Sequence, residues 1–158
     1  MATKKNGAAG EEVVCVNRQA RFNYFIDETY EAGLVLVGSE VKSLRDGKAN
    51  LTDSYAQIRK GEAFLINSHI SPYPGANQFN HEPKRTRKLL LHGREIERLT
   101  GKTKERGLTL VALKIYFKDG RAKVELGLAR GKKLYDKRET LKRKNAERDI
   151  ERSLSSRR

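Results

Sequence analysis

The stretch that constrains this chain most is Asp119-Gly120, set between two runs of alternating side chains. In residues 108–118, Thr109, Val111, Leu113, Ile115 and Phe117 fall on one side of an extended chain. In residues 121–129, Val124, Leu126 and Leu128 supply the matching side. Asp-Gly tolerates the positive φ that a two-residue turn needs, so the pair predicts a long hairpin. A second hairpin is expected at Lys60-Gly61, with Ala56 and Ile58 answered by Phe64, Ile66 and Ile70.

The remaining elements are shorter. Residues 13–16 read as a β-run, and Asn17 is placed to cap a helical turn whose Phe22, Phe25 and Ile26 reach the core while Arg18 and Arg21 face out. Residues 27–37 read as a long strand, with Gly33 as a kink or bulge. Ser39 caps a short helix with Val41 and Leu44 inward, Lys42, Arg45 and Lys48 outward, and Gly47 at its stop. The stretch SPYPGANQFNHEP carries all three prolines and reads as loop. Arg85, Arg87 and Lys88 then lead into a helix ended by Gly101, with Leu91, Ile96 and Leu99 inward. Six or so mostly antiparallel strands with about three short helices predict a mainly β fold, a small OB-like barrel.

That inventory stops near residue 130, and charge says why. Arg130 and everything beyond it hold 12 basic against 5 acidic residues, half of the chain's net +14. Only 37% of the 158 residues are hydrophobic, too few for all of the chain to share a core. The expected organisation is a flexible arm at 1–12, a barrel at 13–130 and a basic tail at 131–158 that is disordered when free. In that tail Lys144, Arg148 and Arg152 repeat at i+4, a repulsion that a polyanion relieves.

A pI of about 10.0 points to a polyanionic partner, by default nucleic acid. No apolar run approaches the length of a spanning helix, so no membrane partner is expected. The lone Cys15 cannot form an internal disulfide and suits a reducing compartment. His69, His81 and His92 lie on different elements without metal-ligand spacing. Neither a phosphate-cradling glycine loop nor a GxSxG elbow is present. Nothing brings Asp27, Glu28, Glu62 and Asp119 together as catalytic acids. The expectation is a binding protein, not an enzyme, with no cofactor. Tyr24 and Tyr30 offer rings to unpaired bases of a structured RNA, and Glu31 is either a surface salt bridge or an acceptor for a base or 2′-hydroxyl. A general structured-RNA-binding or ribosome-associated protein satisfies these observations.

The series NRQARFNYFI, YEAGLVLVGSEVKSLRDGKANLTDSYA, GEAFL, RTRKLLLHGREI and ARGKKLYDKRE closely resembles the SmpB family, the tmRNA-binding (SsrA-binding) proteins of bacterial trans-translation. The likeness runs from about Val13 to Glu139, and its longest motif is GxEVKSLRxGKANxxDSY. It implies a cytoplasmic, monomeric protein that binds the tRNA-like domain of tmRNA and supports its alanylation by alanyl-tRNA synthetase. With EF-Tu it carries that RNA to ribosomes stalled on a message lacking a stop codon. By the same resemblance Asn17, Arg18, Arg21, Tyr24, Glu31 and Leu90 match positions at the RNA elbow. Asn17 and Glu31 are then base or sugar contacts, Leu90 an apolar contact and the arginines phosphate contacts. Lys42, Arg45, Lys48, Arg87, Lys88 and His92 complete the expected tmRNA surface, with His92 standing where some relatives have Asn.

The resemblance also sends the tail into the ribosome's decoding site and empty mRNA channel. Its expected contacts are Lys132, Lys133, Tyr135, Asp136, Lys137, Arg138, Lys142, Arg143, Lys144 and Ile150. A helix from Asp136 to Arg158 spans about 35 Å, enough to enter that channel. Tyr135 stands where some relatives carry His. A phenol ring stacks as an imidazole does but gains no charge near neutrality, so Tyr135 is expected to stack and not to titrate.

Overall fold

The structure is a computed structural model. It describes residues 10–76, 79–104 and 107–155, the side chains of 134 and 135 excepted. Most of the expected amino-terminal arm, residues 1–9, and the last three tail residues lie outside that set.

The chain runs β1 (Glu11–Val16), α1 (Arg18–Asn23), β2 (Tyr24–Leu34), α2 (Gly38–Arg45), β3 (Ala49–Asn50), β4 (Tyr55–Arg59) and β5 (Glu62–Ile66). It continues with β6 (His69–Ile70), β7 (Arg87–Leu90), α3 (Gly93–Thr103), β8 (Leu108–Lys118), β9 (Arg121–Gly131) and α4 (Leu134–Ser155). Strands β8, β4, β5, β7, β2 and β9 are hydrogen-bonded in that order, and β9 pairs again with β8, so the six close into an antiparallel ring. Closure removes most free strand edge. β1 extends the ring by pairing with β8 beyond β4, and β3 pairs with β6 alongside.

Both expected hairpins form. Lys60 and Gly61 have φ of 49° and 76°, and Asp119 and Gly120 have 51° and 76°, the double positive φ that matches strand twist. Their facing residues differ from simple alternation. Across β4 and β5, Ala56 meets Leu65 and Ile58 meets Ala63, so Ala63 and Leu65 fill the interior in place of Phe64 and Ile66. In β8 a bulge between Ala112 and Lys114 inserts Leu113. Leu110 and Ala112 before it, and Ile115 and Phe117 after it, therefore share the ring interior. Val111 and Leu113 turn outward to pack on Ala20 of α1 and Ala129 of β9. β8 is covered on both faces because α1 lies across it.

The helices plug gaps. Leu44 of α2 and Leu99 of α3 are fully buried in the main core, each side chain contributing about 1.5–3 kcal/mol by burial. α1 ends at Asn23, so Phe25 and Ile26 belong to β2, and Phe25 is exposed; Ala20 is the helix residue that is buried. α2 is capped otherwise than expected. Glu40 Oε1 accepts the Val37 N–H at 2.9 Å, and Ser39, inside the helix, bonds His81. α3 continues through Gly101 to Thr103. The β2 bulge falls between Ile26 and Glu28, not at Gly33.

The loop between β6 and β7 is pinned from inside. His81 is buried, its Nε2 2.9 Å from the Ile70 carbonyl and its Nδ1 2.8 Å from Ser39 Oγ. A carbonyl only accepts, so Nε2 carries the proton.

Beyond Gly131 the tail forms α4, so the described residues hold four helices in place of about three. α4 has no buried residue among those described, and its main contact with the body is at α1. Leu141, Ile150 and Leu154 are all about half exposed or more.

Candidate RNA-binding surface

Two of the expected contacts, Asn17 and Arg87, are interior residues. Asn17 does cap α1, its Oδ1 accepting the Ala20 N–H at 3.3 Å. Its Nδ2 donates to the carbonyls of Leu51 at 3.0 Å and Ala112 at 2.9 Å. With both ends of the amide engaged inside the fold, Asn17 holds α1, β8 and the 51–54 turn together instead of facing a base. Arg87 is a second correction. Its side chain is 0% exposed. Nε bonds Glu40 Oε2, and Nη1 and Nη2 donate to Ser68, Arg85 and Pro83 oxygens. A guanidinium so enclosed cannot meet a phosphate. Arg85 is partly withdrawn too, bonded to Glu40 Oε1 at 2.6 Å.

The remaining candidates divide between the two ends of β2. Its first residue, Tyr24, pairs with Gly131, and Gly33 pairs with Leu90 and Lys123. Nine residue steps of extended chain separate these ends by about 30 Å. At the first end stand Arg18 and Arg21, exposed on α1, and Tyr24, half-buried against Val111 and Leu113. The root of the tail joins them. The Lys132 N–H bonds Asn23 O at 2.8 Å, and its ammonium lies 5.0 Å from the Phe25 ring centre. Asp136 accepts the Lys133 N–H at 3.2 Å at the start of α4. Lys137 is half-buried, and Arg138, Lys142, Arg143, Lys144 and Ile150 are exposed. The Tyr135 side chain lies outside the described residues.

At the far end lies a cleft of about 300 Å³ floored by Gly33, Leu36, Val41, Leu90 and Phe117 and rimmed by Arg121 and Lys123. Leu90 is 56% exposed there, an apolar side chain standing in the open. Gly33 makes room for it: a Cβ at Gly33 would sit 3.1 Å from Leu90 Cβ. Arg45 stacks over Phe117, 5.1 Å from the ring centre, and Lys42 lies over Tyr73 at 5.5 Å. Glu31 makes the surface ion pair that was the first of its two expected readings. Its carboxylate accepts from Tyr116 Oη at 2.5 Å and pairs with Lys118 at 3.4 Å, yet the side chain remains 38% exposed. The Tyr116 hydroxyl and the Lys118 and Lys123 charges outweigh its partial burial and hold its carboxyl below the usual range. It is thus a fixed anion, and burial together with Glu31 pushes the Tyr116 phenol well above its ordinary value.

Lys48 is exposed after α2, Lys88 pairs with Glu62 at 3.2 Å, and exposed His92 caps α3, its N–H bonding Glu95. The sequence reading missed Lys123. Only the β2–β9 register, not any local pattern, brings it beside Gly33 and Glu31. Among the described residues no group of histidine, cysteine and acidic side chains could hold a metal ion, and no helix is long and apolar enough to cross a membrane.

The model of the SmpB protein family matches residues 14–156. An SsrA-binding protein of Desulforudis audaxviator is 66% identical over 143 residues, spanning 90% of this chain and 94% of its own. One from Geobacillus thermodenitrificans is 62% identical over 146 residues, 92% of this chain and 94% of its own. Among solved structures, a chain from "tmRNA-SmpB: a journey to the center of the bacterial ribosome" superposes with a TM-score of 0.67 at 53% identity, covering 80% of this chain and 93% of that one. The chain therefore belongs to the SmpB family of SsrA-binding proteins.

Proposed function

We propose that the protein binds the tRNA-like domain of tmRNA with its strand ring and delivers it to stalled ribosomes for trans-translation. The observation that carries this is the separation of two cationic surfaces on one rigid ring. One end presents the Leu90–Lys123 cleft with Glu31 close to Lys123, and the other presents α1 and a protruding basic helix. Two RNAs can then be held at once. The cleft suits a tRNA-like elbow, with Leu90 and Gly33 against a base or ribose, Lys123, Arg121, Lys42, Arg45 and Lys48 near phosphates, and the fixed Glu31 anion accepting from an amino group or 2′-hydroxyl. The α1 end and the tail face the small subunit. There Arg18, Arg21 and the basic side chains of α4 offset rRNA phosphates, and the helix enters the empty mRNA channel. The protein acts by binding alone, in the cytoplasm; EF-Tu and alanyl-tRNA synthetase meet it through tmRNA.

Two measurements check parts of this reading where the tail is concerned. α4 has no stripe of apolar side chains docked on the ring, so its helix is weakly held in free solution and becomes persistent on the ribosome. Amides of α4 in the free protein are expected to exchange at nearly the rate of an unfolded peptide; strong protection there would contradict folding on arrival. For Tyr135, replacement by Phe is expected to keep tagging activity while replacement by Ala loses it. Equal loss in both would exclude stacking as its role. The function as a whole is tested by binding to the isolated tRNA-like domain at moderate salt. A selective complex is expected, whereas equal affinity for any structured RNA would indicate a general RNA binder.

A further inference from the structure

Between α1 and the β4–β8 seam lies a second cleft, of about 250 Å³, apart from the Leu90–Lys123 cleft and lined in part by Asn17 and Tyr24. Its walls carry two tyrosines, Tyr24 and Tyr55, and its polar lining includes Gln19, Asn23, Asp53 and Thr109. No buried side-chain nitrogen or oxygen among the described residues lacks a partner. The side chains of Gln19, Asn23, Asp53 and Thr109 make no hydrogen bond to the rest of the described protein; Gln19 and Asp53 are exposed and Asn23 and Thr109 half-buried, so all four can bond a group that enters the cleft. Gln19 and Asn23 are four apart on α1 and so share a face. Asp53 is presented by a turn held on three sides. Its φ is 63°, the Ser54 N–H and Oγ both bond the Leu51 carbonyl, and Asn17 Nδ2 bonds that same oxygen.

We propose that this cleft is a subsite for a single extruded nucleobase of a bound RNA, with guanine as the favoured base. The inference rests on the RNA-binding reading above. The volume lies below that of pockets for larger ligands and suits one ring system. Tyr24 and Tyr55 supply the aromatic surface on which an unstacked base lies. The Asp53 carboxylate repels phosphate and accepts from adjacent N–H donors, which guanine presents on its Watson–Crick edge and uracil does not. The Gln19 and Asn23 amides donate to and accept from what remains. Arg18 and Arg21, exposed on the same helix, meet the flanking phosphates.

The test is an NMR titration of the full chain with the four nucleoside 5′-monophosphates and, separately, inorganic phosphate. GMP is expected to shift the amides of Gln19, Asn23, Asp53 and Tyr55 more than UMP does, and phosphate to shift Arg18 and Arg21 without them. Identical patterns for all five probes, or GMP shifts lying elsewhere, overturn the proposal. In a second measurement Gln19→Ala and Tyr55→Leu, both at exposed positions, are compared with wild type for binding to tmRNA and to small ribosomal subunits. Loss of one stacked base corresponds to about 10-fold in affinity. A loss in one arm identifies the RNA that supplies the base; unchanged affinity in both arms, with wild type binding normally, overturns the subsite. Failure of wild type to bind tmRNA would instead count against the function proposed above.

Discussion

Ending the chain at Gly131 leaves tmRNA binding in place and abolishes peptide tagging. Gly131 is the last residue of β9 and pairs with Tyr24, so the cut falls after the ring has closed. What is lost with the body is small: the Lys132 N–H bond to Asn23 and the ammonium over Phe25. Both are partly exposed and together stabilise the fold by no more than about 1–2 kcal/mol. The truncated protein should therefore melt within a few degrees of the full chain. Residues 132–158 carry 11 basic and 5 acidic side chains, so the cut also removes a net charge of +6. Non-selective attraction to RNA falls with it, and the dependence of affinity on salt becomes shallower. At physiological salt, where the cleft dominates, affinity for the tRNA-like domain should stay within about 3-fold of wild type. Tagging on ribosomes stalled at a message end should fall to background, because the segment proposed to enter the channel is gone. Parallel loss of RNA binding and tagging would place the tmRNA contact in the tail and refute the division of labour between the two ends.

What could be read from residues alone follows from the range of the interactions. The hairpins at Lys60-Gly61 and Asp119-Gly120 are set by neighbours in sequence, and both formed at the expected turns. Leu44 and Leu99 were found from helical spacing and lie in the core. The β8 bulge was not legible, because inserting Leu113 is decided by the partner strand and by α1 covering the outer face. Asn17 shows the limit most plainly. Its capping bond to Ala20 spans three residues and was anticipated, while its bonds to Leu51 and Ala112 span 34 and 95 and were not. Resemblance to a family marked Asn17, and basic charge marked Arg87, but only the assembled fold distinguishes a residue that touches RNA from one that builds the surface. Lys123 is the converse case, one basic residue among 34 Lys and Arg until register sets it beside Gly33.

Glu40→Ala is expected to be the most destabilising single substitution in the ring. Glu40 is 0% exposed and holds α2 to the strand and loop opposite. One oxygen accepts from Arg85 and the Val37 N–H, and the other accepts from Arg87. Burial alone would raise its pKa. The bonds from Arg85 and the Val37 N–H, and the charge and bond of Arg87, outweigh that and bring the carboxyl below its ordinary value of 4.5. Burial, joined by the neighbouring Arg85 charge, lowers the Arg87 pKa more than Glu40 raises it, but an arginine still does not deprotonate near neutrality. Removing the carboxylate therefore leaves a positive charge sealed in the interior, a change that costs about 3–5 kcal/mol. Urea unfolding should register that loss, and a cost below about 1 kcal/mol would show that the pair is not holding the fold. The pH dependence has a defined sign. A carboxyl whose folded pKa is depressed contributes fully above its unfolded value and loses that contribution as pH falls through the folded one. Wild type should thus weaken below pH 4.5, and Glu40→Ala should lack that part of the acid response. Replacing the pair together, as Glu40→Leu with Arg87→Met, removes the stranded charge and should recover much of the stability. That recovery separates structure from recognition. If Arg87 touched RNA, the double variant would fold and fail to bind; since its guanidinium is enclosed by Glu40, Ser68 and Pro83, the refolded double variant should bind the tRNA-like domain as wild type does.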